Sequence, residues 1–317
     1  MKNNMKKVLV VGGAGYVGGS ITDLLMNKNY SFSVYDSLLY EEQYRKSVPF
    51  IRGDIRDFDR LKSILPGYDS IIWLAALVGD GACSINPQLT KEINQDTVKW
   101  LSENYDGRVC FLSTCSVYGR GDGILTEESK KEPLSVYAQT KLEAEKYLQN
   151  KDAITFRLGT VFGVSDQFSR MRMDLVLNIM TLNAITKGKI SVFGGEQWRP
   201  LIHVKDVARA VVAGVESDKT GIFNIHHENT TMKELGEKVV AATGAEISYG
   251  DMMVQDMRNY KVSSEKVSKE LGFKTTYSID YGIGEVKDLI ESGRIVDPYT
   301  ELYHNEKFLK AFKHRLV

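Results

Sequence analysis

The segment Val8-Leu-Val-Val-Gly-Gly-Ala-Gly-Tyr-Val-Gly18 runs an apolar strand straight into a glycine-rich turn and then into a helix beginning near Tyr16. Gly12, Gly15 and Gly18 hold the GxxGxxG spacing. Glycines at those points allow a tight turn and a close backbone approach, so that a pyrophosphate can rest on the helix N-terminus. An ordinary tight turn would carry the same spacing, so the next acid matters. Asp36 closes the second apolar run 18 residues beyond Gly18, close to the distance expected of a carboxylate that hydrogen-bonds the adenosine ribose hydroxyls. A solvated turn aspartate is the alternative. A carboxylate there repels the 2′-phosphate of NADP and no arginine follows at once, which favours NAD as cofactor. Tyr16, Val17 and Ser37 adjoin these positions and join the candidate cofactor contacts.

Short apolar runs alternate with helix-length amphipathic stretches through the first half of the chain. Lys7–Val11, Ser31–Tyr35, Ser70–Ala75, Val109–Ser113 and Ala153–Leu158 read as buried strands. That alternation predicts βαβ units and a parallel sheet with helices on both faces, whose ligands bind beyond the carboxyl ends of the strands. After Gly163 the pattern loosens. Met171–Thr186 reads as a helix, Lys189–Phe193 as extended, Val204–Ser217 as a helix and Gly221–His226 as a strand that rejoins the sheet. The second unit is therefore expected to interleave with the first: residues 1–165 and about 201–229 against about 166–200 and 230–317, the last part ending in a polar tail after Gly293.

Composition removes several classes of function. Lys plus Arg total 41 and Asp plus Glu total 41, so no net charge draws the chain onto nucleic acid or an anionic membrane. Cys83, Cys110 and Cys115 are too few and too unevenly placed for a disulfide framework, and no CxxC pair with histidines suggests zinc. Reduced thiols in a cytoplasm are the plain reading. The basic start followed by Val8–Val11 imitates a signal peptide, but the run breaks at Gly12 and Gly13, and no stretch reaches the roughly 18 to 20 apolar residues that span a bilayer.

Chemistry enters at Tyr137-Ala-Gln-Thr-Lys141. On a helix, a phenol and an ammonium four positions apart share one face, so the Lys141 charge is expected to favour the Tyr137 phenolate. A free tyrosine titrates near pH 10, and only about 0.1% is ionised at pH 7. Bringing the pKa to about 7 takes roughly 4 kcal/mol of differential stabilisation, within reach of an ammonium plus an oxidised nicotinamide ring in a shielded site. Asp54, in Arg52-Gly-Asp-Ile-Arg-Asp57, fits either an acceptor for the adenine amino group, with Ile55 packed on the ring, or a plain turn acid.

Taken together, Val11-Gly-Gly-Ala-Gly-Tyr-Val-Gly18, Gly53-Asp54-Ile55, Leu74-Ala75-Ala76, Val117-Tyr118-Gly119, Tyr137-x-x-x-Lys141 and Arg199-Pro-Leu-Ile-His-Val-x-Asp206 resemble the extended short-chain dehydrogenase/reductase superfamily, in its sugar-nucleotide epimerase and dehydratase branch. The resemblance runs from about Lys7 to Gly272. It implies a Rossmann-type doubly wound parallel sheet with a smaller interleaved α/β substrate domain. It also implies that Tyr137 is the catalytic base, that Lys141 holds the nicotinamide ribose as well, and that Thr114 orients the reacting hydroxyl, with Ser113 and Ser116 close enough to be confused with it. Leu74, Ala75 and Ala76 would line the cofactor, and Arg199 and Arg258 would read a diphosphate, since guanidinium forks match phosphate oxygens. A surface salt bridge would explain either arginine alone. Asn178 matches an asparagine near the bound nucleotide, or serves helix polarity.

Two departures bear on the reaction. The family's 4,6-dehydratases carry Asp-Glu after the catalytic Thr, whereas this chain has Cys115 and Ser116, which suit acid–base work poorly. Both are candidate substrate contacts, with Cys115 also reading as a small buried filler. Thr160 stands where many epimerases have Asn, and His203 reads as structural. The expected activity is NAD-dependent oxidation at C4 of a UDP-, GDP- or dTDP-sugar, ending as a 4-epimerase or a 4-dehydrogenase. The MRxDLVLN segment also resembles GDP-heptose dehydrogenases. A reductase of a non-nucleotide ketone and an inactive cofactor-binding scaffold stay open as alternatives. Relatives commonly pair through the helices matching Leu134–Gln149 and Thr90–Asn104, which implies a homodimer.

Overall fold

The computed structural model describes residues 6–251 and 258–316. Seven parallel strands form the main sheet in the order Gly221–Ile225, Ala153–Leu158, Arg108–Thr114, Ser70–Trp73, Lys7–Val11, Ser31–Asp36, Phe50–Arg52. The apolar runs are continuous because helices cover both faces. Along the first strand the side chains alternate. Val8 and Val10 pack into one cluster with Ile72, Phe156 and the helix Val204–Glu216, while Leu9 and Val11 pack into the opposite one with Trp73, Phe111 and Leu101. Each such fully buried aliphatic contributes about 1.5–3 kcal/mol of transfer free energy.

The chain leaves the first strand in one direction along the sheet and returns on the other side, so the ends of Lys7–Val11 and Ser70–Trp73 bound a crevice at the point where strand order reverses. Gly12 is what lets the two loops meet there. Its φ is +85°, and a Cβ on it would sit 2.5 Å from the Ala75 backbone nitrogen. A smaller unit has its own core of Phe162, Leu177, Leu201, Leu235, Val239 and Ile283, built on a three-stranded sheet in which Trp198–His203 pairs with Thr160–Phe162 and Glu228–Thr231.

Two local expectations needed correction. Residues 171–175, read as the start of a helix, are not helical. The helix runs Val176–Lys187 with Leu175 as an extended N-cap, because Arg172 and Asp174 are tied to each other and to the C-terminal segment. Arg120–Leu125, unassigned from sequence, is a strand pairing with Asn259–Val262. No described helix is long and apolar enough to cross a membrane.

Candidate active site

The carboxyl ends of the central strands open onto a cavity of about 550 Å³. Gly12, Gly15, Tyr16, Val17 and Gly18 form one wall, Asp36 and Ser37 an end, Asp54 and Ile55 the side beyond it, and Leu74, Ala75 and Ala76 the facing wall. The first helix, Tyr16–Asn27, is capped by Gly15 with no side-chain hydrogen bond, and its first turn carries no acid. Its positive dipole end therefore faces the cavity with no acid from its own first turn to quench it. Asp36 is buried, which pushes its carboxyl up from the ordinary range, while N–H groups of Leu38 (2.8 Å) and Ala14 (3.0 Å) donate to its two oxygens and oppose the shift. Burial also works against ionisation of Asp54, but Arg56 grips both of its oxygens at 3.0 and 2.7 Å and holds the carboxyl below its usual range. An anion-seeking helix end between two carboxylate-bearing strand ends suits a dinucleotide. Among the described residues, no group of three or more His, Cys, Asp or Glu could hold a metal ion.

Tyr137 stands in the first turn of the helix Val136–Leu148, whose N-cap Ser135 accepts from the Ala138 N–H at 3.2 Å. The Tyr137 ring joins the apolar cluster that includes Leu77, and Leu77 also lines the cavity. Burial pushes the phenol above its ordinary value, Cys83 and Asp80 adding to the effect, while Arg172 and the Thr114 hydroxyl pull it back. Arg172 is thus a cation that favours the phenolate. Lys141 is 4% exposed and its ammonium lies 4.1 Å from the Phe111 ring centroid. Burial pushes it down to about 7, against the pull of Glu145.

Three neighbouring hydroxyls are sorted by direction. Ser113 donates to Glu145 at 2.5 Å on the inner side of the strand. Thr114 faces Tyr137 and accepts from the Ser116 N–H at 3.1 Å. Ser116 meets Tyr260 and Arg258, each at 3.4 Å. Behind Ser113 lies a closed network in which Arg157 grips both Glu145 oxygens at 3.0 and 2.6 Å and donates to Tyr118 at 2.9 Å, and Tyr118 donates to Asn224 at 2.8 Å.

Other expected contacts are placed differently. Cys115 points away from the site, wholly buried, its thiol donating to the Arg157 carbonyl at 3.3 Å, in the short turn Cys115–Tyr118 that follows the strand. Asn178 is fully buried and its amide is spent on backbone, accepting from the Gly163 N–H at 2.9 Å and donating to the carbonyls of Gly163 and Arg172 at 3.2 and 2.8 Å. Helix-end polarity accounts for it. Arg258 pairs with Asp80 at 3.1 Å, and buried Arg199 donates to the carbonyls of Trp198, at 2.8 Å, and Arg258. Arg199 thereby holds the Arg258 backbone, and the Arg258 guanidinium reaches Ser116. His203 is wholly buried, with Nδ1 accepting from the Lys205 N–H at 3.1 Å and Nε2 3.1 Å from Glu285.

Sequence reasoning missed part of the cavity wall: Arg170, Arg172, Asn305, Arg315 and Leu316 also line it. A signal existed, because Phe308, Leu309, Phe312 and Leu316 fall on one helical face in a tail read only as polar. That helix, Asn305–Ala311, joins the same apolar cluster as Leu77 and Tyr137.

Residues 8–225 match the model of the NAD dependent epimerase/dehydratase family. The UDP-glucose 4-epimerase of Rhizobium meliloti (strain 1021) is 28% identical over 313 residues, covering 88% of this chain and 94% of that protein. Among solved structures, MoeE5 in complex with UDP-glucose and NAD superposes with a TM-score of 0.77 at 25% identity, over 91% of this chain and 100% of that one. The UDP-glucose 4-epimerase of Thermotoga maritima with UDP-glucose shares the fold, with a TM-score of 0.80 at 23% identity over 91% and 100% of the two chains.

Proposed function

The chain belongs to the NAD-dependent epimerase/dehydratase family, and from that premise we propose that it oxidises C4 of a nucleoside-diphosphate sugar to a 4-keto sugar. The observation that carries this reading is the meeting of the Thr114 hydroxyl with Tyr137, whose ring joins the apolar cluster of Leu77, a residue that lines the cavity. Tyr137 takes the proton of the C4 hydroxyl, and Thr114 holds the same oxygen by hydrogen bond as it becomes a carbonyl. NAD, when bound, supplies the acceptor for the hydride leaving C4. Lys141, in an apolar setting, holds the ribose next to the nicotinamide. Arg199 and Arg258 engage the sugar-nucleotide diphosphate, with UDP, GDP and dTDP as candidate carriers. Residues 1–165 and about 201–229 serve the cofactor, and about 166–200 and 230–317 the sugar nucleotide. The enzyme works in the cytoplasm as a homodimer, and returning hydride to the opposite face of the ketone makes it an epimerase, whereas releasing the ketone makes it a dehydrogenase.

Absorbance at 340 nm, followed while UDP-, GDP- and dTDP-sugars are offered in turn, tests the reading. Lasting NADH with a free ketone identifies a dehydrogenase, and sugar interconversion without net redox an epimerase. Tyr137→Phe should lower turnover about 10²- to 10⁴-fold while NAD still binds; turnover that survives this substitution refutes the assignment.

A further inference from the structure

Part of the cavity wall is built from chain that does not belong to the glycine turn. Residues 163–169 are strapped to that helix: the Tyr16 hydroxyl donates to the Gly163 carbonyl at 2.7 Å, and the Ser165 hydroxyl donates to the Tyr16 carbonyl at 2.5 Å. The strap delivers Arg170 and Arg172 to the cavity. Arg172 is 9% exposed, and Asp174 grips it at 2.6 and 3.0 Å. Arg170 is held by neutral groups. It donates to the Leu302 carbonyl at 2.6 Å and to the Asn305 side-chain oxygen, and stacks 4.2 Å from the Tyr40 ring centroid. Asn305 in turn donates to the Val78 carbonyl at 2.9 Å, which ties the arrangement to the loop after the fourth strand.

Two guanidiniums are thus fixed side by side with one ion-paired carboxylate between them. Burial, and after it the charge of Arg172, push Arg170 down to about 10, so both remain cationic at neutral pH. Glu41, the next nearest acid, is pushed up by burial and accepts from the Arg170 backbone N–H. Arg315 is occupied with Glu42 at 3.6 Å, and Arg56 with Asp54. The N-terminus of the first helix, whose own first turn carries no acid, is the other electropositive element that lines the cavity.

We propose that Arg170 and Arg172 form the second jaw of a diphosphate clamp whose first jaw is the first helix N-terminus. Guanidinium forks held from behind by Asp174 and Asn305 need little reorganisation to accept phosphate oxygens. The diphosphate belongs to the dinucleotide or to the sugar nucleotide. The inference rests on the proposed reading only in that both ligands contain a diphosphate, and its test involves no sugar turnover.

Binding of adenosine, ADP, NAD and UDP to the purified protein is measured by calorimetry for wild type, Arg170→Met, Arg172→Met and the double variant Arg172→Met/Asp174→Asn, which removes the pair together and leaves no buried lone carboxylate. Loss of a charge-assisted contact should weaken diphosphate ligands about 10- to 100-fold and leave adenosine unchanged. Weaker ADP and NAD with unchanged UDP assigns the clamp to the cofactor, and weaker UDP with unchanged NAD assigns it to the sugar nucleotide. Wild-type affinity for all four ligands in variants that melt as wild type does overturns the proposal. Should the single Arg172 variant not fold, Arg170→Met and the double variant carry the same decision.

Discussion

Two guanidinium–carboxylate pairs flank the candidate site, and they have little in common beyond their geometry. Arg157 and Glu145 lie behind the strand that carries Thr114, each side chain 2% exposed, with Ser113 and Tyr118 completing their hydrogen bonds. Arg172 and Asp174 lie in front, with side chains 11% and 22% exposed, and Arg172 faces the cavity. The rear pair is sealed, with its bonding capacity spent inside the protein. The front pair has an open side. A bidentate ion pair therefore reveals nothing about function until its surroundings are known: the sealed pair fixes strand to helix, whereas the open one presents charge to a ligand.

The contrast is easiest to break through stability. Arg157→Met leaves Glu145 buried beside Ser113 without its cation and should cost about 3–5 kcal/mol in denaturant unfolding; a loss under 1 kcal/mol would erase the distinction between the pairs. Asp174→Asn, at the partly open pair, should cost about 1–2 kcal/mol, and a cost as large as that of Arg157→Met would show that the front pair is equally structural. A third effect, read from its pH dependence, concerns Lys141, on which Glu145 of the rear pair acts. Its folded pKa of about 7 lies below its ordinary value of 10.5, so the unfolded chain holds more protons between those limits and stability rises with pH across that window. Below pH 7 both states are protonated and the full burial cost is present. Lys141→Met should therefore gain most over wild type at pH 7 and below, with the gain shrinking toward pH 10. A pH-independent difference between the two proteins would refute the shift.

What could be read without coordinates was local. The glycine turn, Asp36 and the Tyr137–Lys141 pair are encoded by spacing within one strand–turn–helix unit or one helical turn, and periodicity reports such spacing directly. Contacts made across the sequence were not. Asn305 reaches Val78 over 227 positions, and no local pattern marks that meeting. Direction was lost for a related reason. Cys115 follows Thr114 immediately, and only the path of the chain after the strand decides that its thiol turns inward. Helical spacing likewise places Tyr137 and Lys141 on a common face but does not say what else crowds it, here the Phe111 ring and the Arg172 charge.

Gly163 shows how such long-range meetings set a dimension. Its φ is +97°, and a Cβ would lie 2.2 Å from the His203 ring, so only glycine passes between that imidazole and the first helix. Its carbonyl receives both the Tyr16 hydroxyl and the Asn178 amide, so one peptide unit fastens the two sides of the opening to each other. Prying them apart would sever both bonds at once. The gap therefore behaves as a caliper locked at one setting, and a guest must match its width rather than stretch it.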